Sequence, residues 1–307
     1  MIRFKKIVIA AGTGQIGKAL VKHFSETSEE IIILSRRAHA KSGNVKTVNW
    51  NGRDVGNWSV ELEGADLLIN LAGTSVNCRH TPENKKRILD SRIDALNTLA
   101  KAVELCKTPP SVWIQASAGA LYKAGHEPSN ENDFTNGTGF MADVCRSWEA
   151  AFNPALSNVK NVRKVILRIG IVLGKNEGAF PKLRRFAKLG LGGKAGNGKQ
   201  MISWIHEDDV ALMVEWIVAQ KTISGPVNCC APEPVSNKTF MKLLRNQLHV
   251  PIGFPAPAFV LRMAAVFMNT EASLVLDSMW MHPEKILQSG FKFKYGKPVD
   301  ALMNLLQ

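Results

Sequence analysis

The chain has 307 residues, 45% of them hydrophobic, enough for a large core or for one large and one small domain. Its 39 Lys and Arg against 26 Asp and Glu give a formal charge of +13, which suits nucleic acid, an anionic membrane or phosphorylated small molecules. No apolar run approaches the ~20 residues of a membrane span, and Cys78, Cys106, Cys145, Cys229 and Cys230 form no C-x-x-C, so neither a disulfide framework nor a metal centre is expected.

The odd, scattered thiols point to a reducing compartment, and the expected location is cytoplasmic. The opening MIRFKK leads straight into a strand, with no secretory segment expected before it. The densest cationic group is Lys182, Arg184, Arg185 and Lys188. No nucleic-acid motif accompanies it, so it reads as a solvated helix face. The expected partner is a small-molecule substrate, with no nucleic acid and no membrane, and the chain is expected to be a monomer or homodimer.

From Lys6 to Gly17 the chain reads KIVIAAGTGQIG. The unbroken apolar run Ile7 to Ala11 reads as a buried parallel strand. Gly12, Gly14 and Gly17 follow at G-x-G-x-x-G spacing, and Lys18, Ala19, Leu20, Val21 and Phe24 continue with helical periodicity. Strand, glycine turn and helix together mark a dinucleotide site. Glycine lets the backbone approach a pyrophosphate, and the free N–H groups of the helix N-terminus receive its charge.

Further strands are expected at Glu30 to Ser35, Val45 to Trp50, Asp66 to Leu71, Ser111 to Ser117 and Lys164 to Ile169. Between them lie an expected helix from Pro82 to Cys106, capped by Thr81, and one from Phe140 to Leu156. This alternation predicts an α/β fold, a Rossmann-type doubly wound parallel sheet. After Gly170 the texture changes to glycine-rich loops and helical segments. A helix at Asp208 to Gln220 and a strand at Val227 to Cys230 return to the sheet, and GFKFKYG closes the chain as a turn or strand. The expected division is a nucleotide-binding domain over 1–171 with a return segment near 206–230. A smaller, mostly helical substrate domain takes 172–205 and 231–307.

An NAD-binding fold ends its second strand with an acid that holds the ribose hydroxyls. Here the strand ends Ser35-Arg36-Arg37, 18 residues past Gly17, with no acid. Guanidinium groups at that position fit a ribose 2′-phosphate, so the expected cofactor is NADP.

The stretches GTGQIG (12–17), NLAG (70–73), SRIDALNTL (91–99), DVCRSWE (143–149), LRIGIVLG (167–174), GNGKQMISWIHEDD (196–209) and GFKFKY (290–295) resemble the extended short-chain dehydrogenase/reductase superfamily. More narrowly, they are similar to its nucleoside-diphosphate-sugar epimerase-like branch, which carries a C-terminal domain of unknown function. The resemblance covers nearly the whole chain and departs at Ala11, where the superfamily usually has Gly. It implies that Gly12, Thr13, Gly14, Gln15, Ile16 and Gly17 form the pyrophosphate loop. It implies too that Arg36 and Arg37 hold the adenosine phosphate, that Leu71, Ala72 and Gly73 pass under the cofactor, and that Ser117 lies near the nicotinamide.

The superfamily's catalytic pair, Tyr-x-x-x-Lys on one helix, occurs nowhere in the chain; Met141 and Cys145 stand in its place. Tyr122, five residues past Ser117, is the best remaining proton donor, expected above the nicotinamide with Ser117 orienting the substrate. Arg92 reaches either the cofactor or a carboxylate. Arg146 and Glu149 read as a helix-surface pair or a structural link, and Asp143 as a base or a solvated residue. Lys199, Gln200 and His206 suit an anionic or polyhydroxyl substrate, although a His before Glu207-Asp208-Asp209 also suits a helix cap. The expected function is an NADP-dependent oxidoreductase or epimerase acting on a small hydroxylated or carbonyl substrate such as a nucleotide-linked sugar. The alternative is an NADP(H)-sensing or structural protein that has lost that chemistry.

Overall fold

Continuous apolar runs become the strands of one parallel sheet. The computed structural model describes residues 3–37, 41–122, 125, 127–133, 135–157, 159 and 161–307. Its first half alternates β1 (Phe4–Ala10), α1 (Gln15–Phe24), β2 (Ser28–Ser35), β3 (Val45–Asn49), β4 (Leu67–Asn70), α2 (Pro82–Glu104), β5 (Val112–Ala118), α3 (Phe140–Phe152) and β6 (Arg163–Ile169). Then come β7 (Ile171–Leu173), α4 (Phe180–Lys188), β8 (Met201–Ile202), β9 (Trp204–His206), α5 (Glu207–Ala219) and β10 (Gly225–Cys229). The chain ends with β11 (Val235–Ser236), α6 (Asn237–Gln247), α7 (Ala258–Phe267), α8 (Ser273–Leu276), α9 (Glu284–Gln288) and α10 (Pro298–Leu306).

The seven-stranded sheet runs β10-β6-β5-β4-β1-β2-β3, with every pairing parallel. Strand order reverses on either side of β1, which hydrogen-bonds to both β2 and β4. That crevice, at the carboxyl ends of the strands, is where doubly wound sheets take ligands. Residues such as Ile7, Val8, Ile31, Leu68 and Ile114 are fully buried, as a sheet covered on both faces requires. A second apolar cluster gathers Phe180, Trp204, Phe240, Leu244, Leu302 and Leu305, all from beyond residue 171.

One expectation is corrected and one alternative is decided. The helix expected to reach Leu156 stops at Phe152, because Pro154 cannot continue it. Of the two alternatives for GFKFKYG, turn or strand, the structure takes the turn, and the N–H groups of Lys294 and Tyr295 donate to the Asp209 carboxylate at 2.7 and 2.9 Å. Thr81 does cap α2, accepting the Asn84 N–H, with Pro82 at the first helical position. Among the described residues no helix is long and apolar enough to cross a membrane, and no cluster of His, Cys, Asp and Glu could hold a metal ion.

Candidate functional site

The glycine loop is built by steric necessity. A Cβ on Gly17 would lie 2.2 Å from the Gly12 carbonyl oxygen, so only glycine lets α1 sit this close to the end of β1. Gly14 opens the helix with no side-chain cap and no acid in the first turn, which leaves its N-terminal N–H groups free for an anion. Thr13 and Gly14 are exposed, and Ile16 is half-buried against the core. The Gln15 side chain turns away from the loop and donates to the Val172 carbonyl at 3.4 Å. Only its backbone remains for a phosphate. Ala11, in the superfamily's glycine position, has φ +58°, a left-handed conformation that costs an L-residue about 1 kcal/mol or more.

At the end of β2, Arg36 and Arg37 are exposed, and neither makes an ion pair among the described residues. The Arg37 N–H donates to Ser35 Oγ. This open cationic corner adjoins the glycine loop, since β1 and β2 run in register to Ala10 and Leu34. Anion-binding N–H groups and two free guanidiniums on one crevice fit a phosphorylated dinucleotide.

β4 ends in a turn held by Asn70, whose side-chain oxygen accepts the Ala72 N–H at 3.0 Å. Leu71 is half-buried, Ala72 buried and Gly73 exposed. A Cβ on Gly73 would sit 2.8 Å from the Arg92 guanidinium carbon, so Arg92 lies directly beneath the turn. Its Nη1 donates to the carbonyls of Thr74 and Ile88, and its guanidinium lies 5.2 Å from the Trp148 ring centroid. No carboxylate among the described residues pairs with it, so the expected alternative of an ion pair is corrected. Burial presses its pKa down.

Beyond the crevice the structure assembles a buried polar network. Ser117, Arg168 and Asn228 stand in lateral register on β5, β6 and β10. The Ser117 hydroxyl donates to Glu149 Oε1 at 2.7 Å. Arg168 grips both oxygens of Glu149, at 3.0 and 2.8 Å, and its Nη1 donates to the Tyr122 hydroxyl at 2.7 Å. That hydroxyl in turn donates to Asn228 Oδ1 at 2.9 Å. Tyr122 is therefore not on an open loop above the cleft; it is 6% exposed, and burial raises its pKa despite the neighbouring Arg168. Glu149 is no surface partner of Arg146, which pairs instead with the exposed Asp143 at 2.7 Å. One turn before Glu149, Cys145 is buried, and that burial lifts its thiol to about 11. Sequence reasoning did not single out Arg168 and Asn228. The available signal was a charged or amide residue inside an otherwise apolar strand, as in KVILRIG and GPVN.

The three expected substrate residues do not converge. Lys199 is exposed. Gln200 is buried and donates to the carbonyls of Ala195 and Val275, both at 3.1 Å. His206 caps α5, its Nδ1 accepting the Asp208 N–H, and its ring stacks on Tyr295 at 4.1 Å. Burial pushes its pKa below the ordinary imidazole value. The capping role stands and the proton-carrier role has no geometric support.

The family model described as NAD dependent epimerase/dehydratase family matches residues 7–230, well over half of the chain. The chain belongs to that family. A second model, Domain of unknown function (DUF1731), matches residues 256–305 of this epimerase-family chain. The Epimerase family protein YfhF of Bacillus subtilis is 33% identical over 302 residues, covering 98% of this chain and 97% of its own. The chloroplastic Epimerase family protein SDR39U1 homolog of Arabidopsis thaliana is 30% identical, covering 98% and 86%. The crystal structure of human epimerase family protein SDR39U1 with NADPH superimposes with a TM-score of 0.86 at 26% identity, covering 98% of each chain. The chain holds no Tyr-x-x-x-Lys pair, and α3 carries Met141 and Cys145 four residues apart.

Proposed function

We propose that this epimerase-family protein binds NADP(H) and passes hydride between the nicotinamide and a small hydroxylated or carbonyl substrate such as a nucleotide-linked sugar. The observation that carries the reading is the exposed Arg36–Arg37 pair beyond β2, with no acid at the strand end. The NADPH-bound human relative supports the same cofactor. The backbone N–H groups from Thr13 to Gly17 receive the pyrophosphate, and Arg36 and Arg37 the 2′-phosphate. Leu71, Ala72 and Gly73 form the floor, and Arg92 offers an uncompensated cation beneath it. When bound, the cofactor supplies or accepts hydride at nicotinamide C4. Ser117 and Tyr122, with both hydroxyls donated into the buried network, brace the packing of β5, β6 and β10 and present no free proton to the cleft.

One observation favours a second reading, an NADP(H) sensor without turnover: Ser117, Tyr122 and Cys145 are all buried, and the two hydroxyls are engaged. The test is a screen of sugar nucleotides and carbonyl compounds for NADPH oxidation and for hydrogen-isotope exchange. Turnover that survives Tyr122→Phe supports hydride transfer with Tyr122 as a brace. Tight NADPH binding without turnover on any compound supports the sensor. Arg36→Ala with Arg37→Ala weakens NADPH at least tenfold and leaves NADH unchanged; equal losses for both cofactors remove the argument.

A further inference from the structure

The thirteen net positive charges are not spread evenly. Residues 178–206 and 234–270 hold ten of the 39 Lys and Arg and none of the 26 Asp and Glu. Eight of those ten cations are exposed, and none makes an ion pair among the described residues. The two segments meet in space. Phe254 N–H donates to Gly190 O, Gly193 N–H to Phe254 O, and Ala256 N–H to Lys194 O, so the stretch before α7 runs alongside the loop after α4.

The helix that follows this pairing is apolar and exposed. α7 reads AFVLRMAAVF, yet Ala265 is its one buried residue. Phe259, Val260, Met263, Val266 and Phe267 face water instead, Phe267 at 85% exposure. At 3.6 residues per turn these five span an arc of roughly 120°, with Arg262 at its edge. Phe254 at 63%, Leu189 and Leu191 extend the patch across the paired loop. Phe254, Phe259 and Phe267 alone leave roughly 400 Å² in water, at ~150–250 Å² per side chain. That already equals the largest apolar patch of a typical monomer, about 300–600 Å².

We propose that this face docks on an anionic phospholipid surface, α7 lying in the headgroup boundary and the exposed Lys and Arg of the two segments contacting lipid phosphates. The charge pattern selects the occupant. A second copy of this chain, related by a two-fold axis, would bring the same cations face to face. A helix presenting Phe, Val and Met beside Lys and Arg is the composition of an interfacial membrane helix, and each nearby cation strengthens attraction to an anionic leaflet. The proposal runs against the sequence-based expectation of no membrane partner, and it does not depend on the cofactor reading. The docking face adjoins the cleft: Thr270 Oγ1 donates to Asn77 Oδ1 and the His80 N–H to Glu271, both at 2.6 Å, tying the end of α7 to the loop after β4.

The test is co-sedimentation with vesicles of two parts phosphatidylcholine to one part phosphatidylglycerol, and with phosphatidylcholine alone. The full chain partitions onto the anionic vesicles at least tenfold more tightly, and raised salt weakens that binding. Phe259→Ser with Phe267→Ser, and separately Lys182→Glu with Arg185→Glu and Lys188→Glu, each reduce it tenfold or more. NADPH affinity and thermal melting are unchanged in both variants, which shows that the fold is intact. No binding to anionic vesicles, or binding that neither variant lowers, overturns the proposal. A dimer in light scattering that the double Phe variant converts to monomer overturns it in favour of self-association.

Discussion

Removing the charge from Glu149 isolates the energetics of the buried network. Glu149 is 8% exposed and Arg168 5%, and the carboxylate is the only acid within ion-pair distance of that guanidinium among the described residues. Glu149→Gln keeps the volume and the Ser117 contact but strands a buried cation, a loss of about 3–5 kcal/mol. That is a large share of the roughly 5–15 kcal/mol of total stability of a typical protein. Arg168→Met strands the carboxylate and costs a similar amount. The double variant Glu149→Gln with Arg168→Met leaves neither charge behind. It should therefore be destabilised by at least 2 kcal/mol less than the sum of the singles, well outside the ~0.5 kcal/mol scatter of independent sites. Urea unfolding followed by tryptophan fluorescence measures all four proteins. Single losses below about 1 kcal/mol, or strict additivity, would refute the claim that this ion pair is desolvated and essential.

Other outcomes follow from single contacts. Ala11→Gly relieves the left-handed backbone and raises stability by roughly 0.5–1 kcal/mol in thermal unfolding, with NADPH affinity retained. Tyr122→Phe leaves Asn228 and Arg168 each short of a partner and costs roughly 1–3 kcal/mol, with NADPH affinity unchanged. His206 binds its proton less readily folded than unfolded, so stability is full above about pH 6.5 and falls as pH drops through the lower folded value. His206→Asn keeps a capping side chain and removes that component, so its melting temperature changes less between neutral and mildly acid pH than that of the wild type.

The sheet was legible because parallel strands covered on both faces are built from apolar runs, as in IVIA, IIIL and VIL, and because glycine spacing fixes the first turn. The glycine loop and the arginines beyond β2 were legible as features for a related reason: each is formed by residues adjacent in sequence. β7, β8, β9 and β11 are two or three residues long, too short to carry a period. The Ser117–Glu149–Arg168–Tyr122–Asn228 network could not be read, because strand register and not sequence spacing brings its members together. Glu149 was misplaced for the same reason. On a helix whose two faces both carry polar residues, nothing local says that Arg146 points to water while Glu149 points to Arg168. The stretch from Phe254 to Met268 is visibly apolar, but composition alone does not reveal that its apolar side faces outward.

Calorimetric titration of nucleotide-free protein with NADPH and with NADH tests the assignment of the cleft most directly. The arginine corner and the open helix N-terminus require NADPH to bind at least tenfold more tightly than NADH. Equal affinity, tighter NADH binding, or no heat from either coenzyme on folded protein would contradict it.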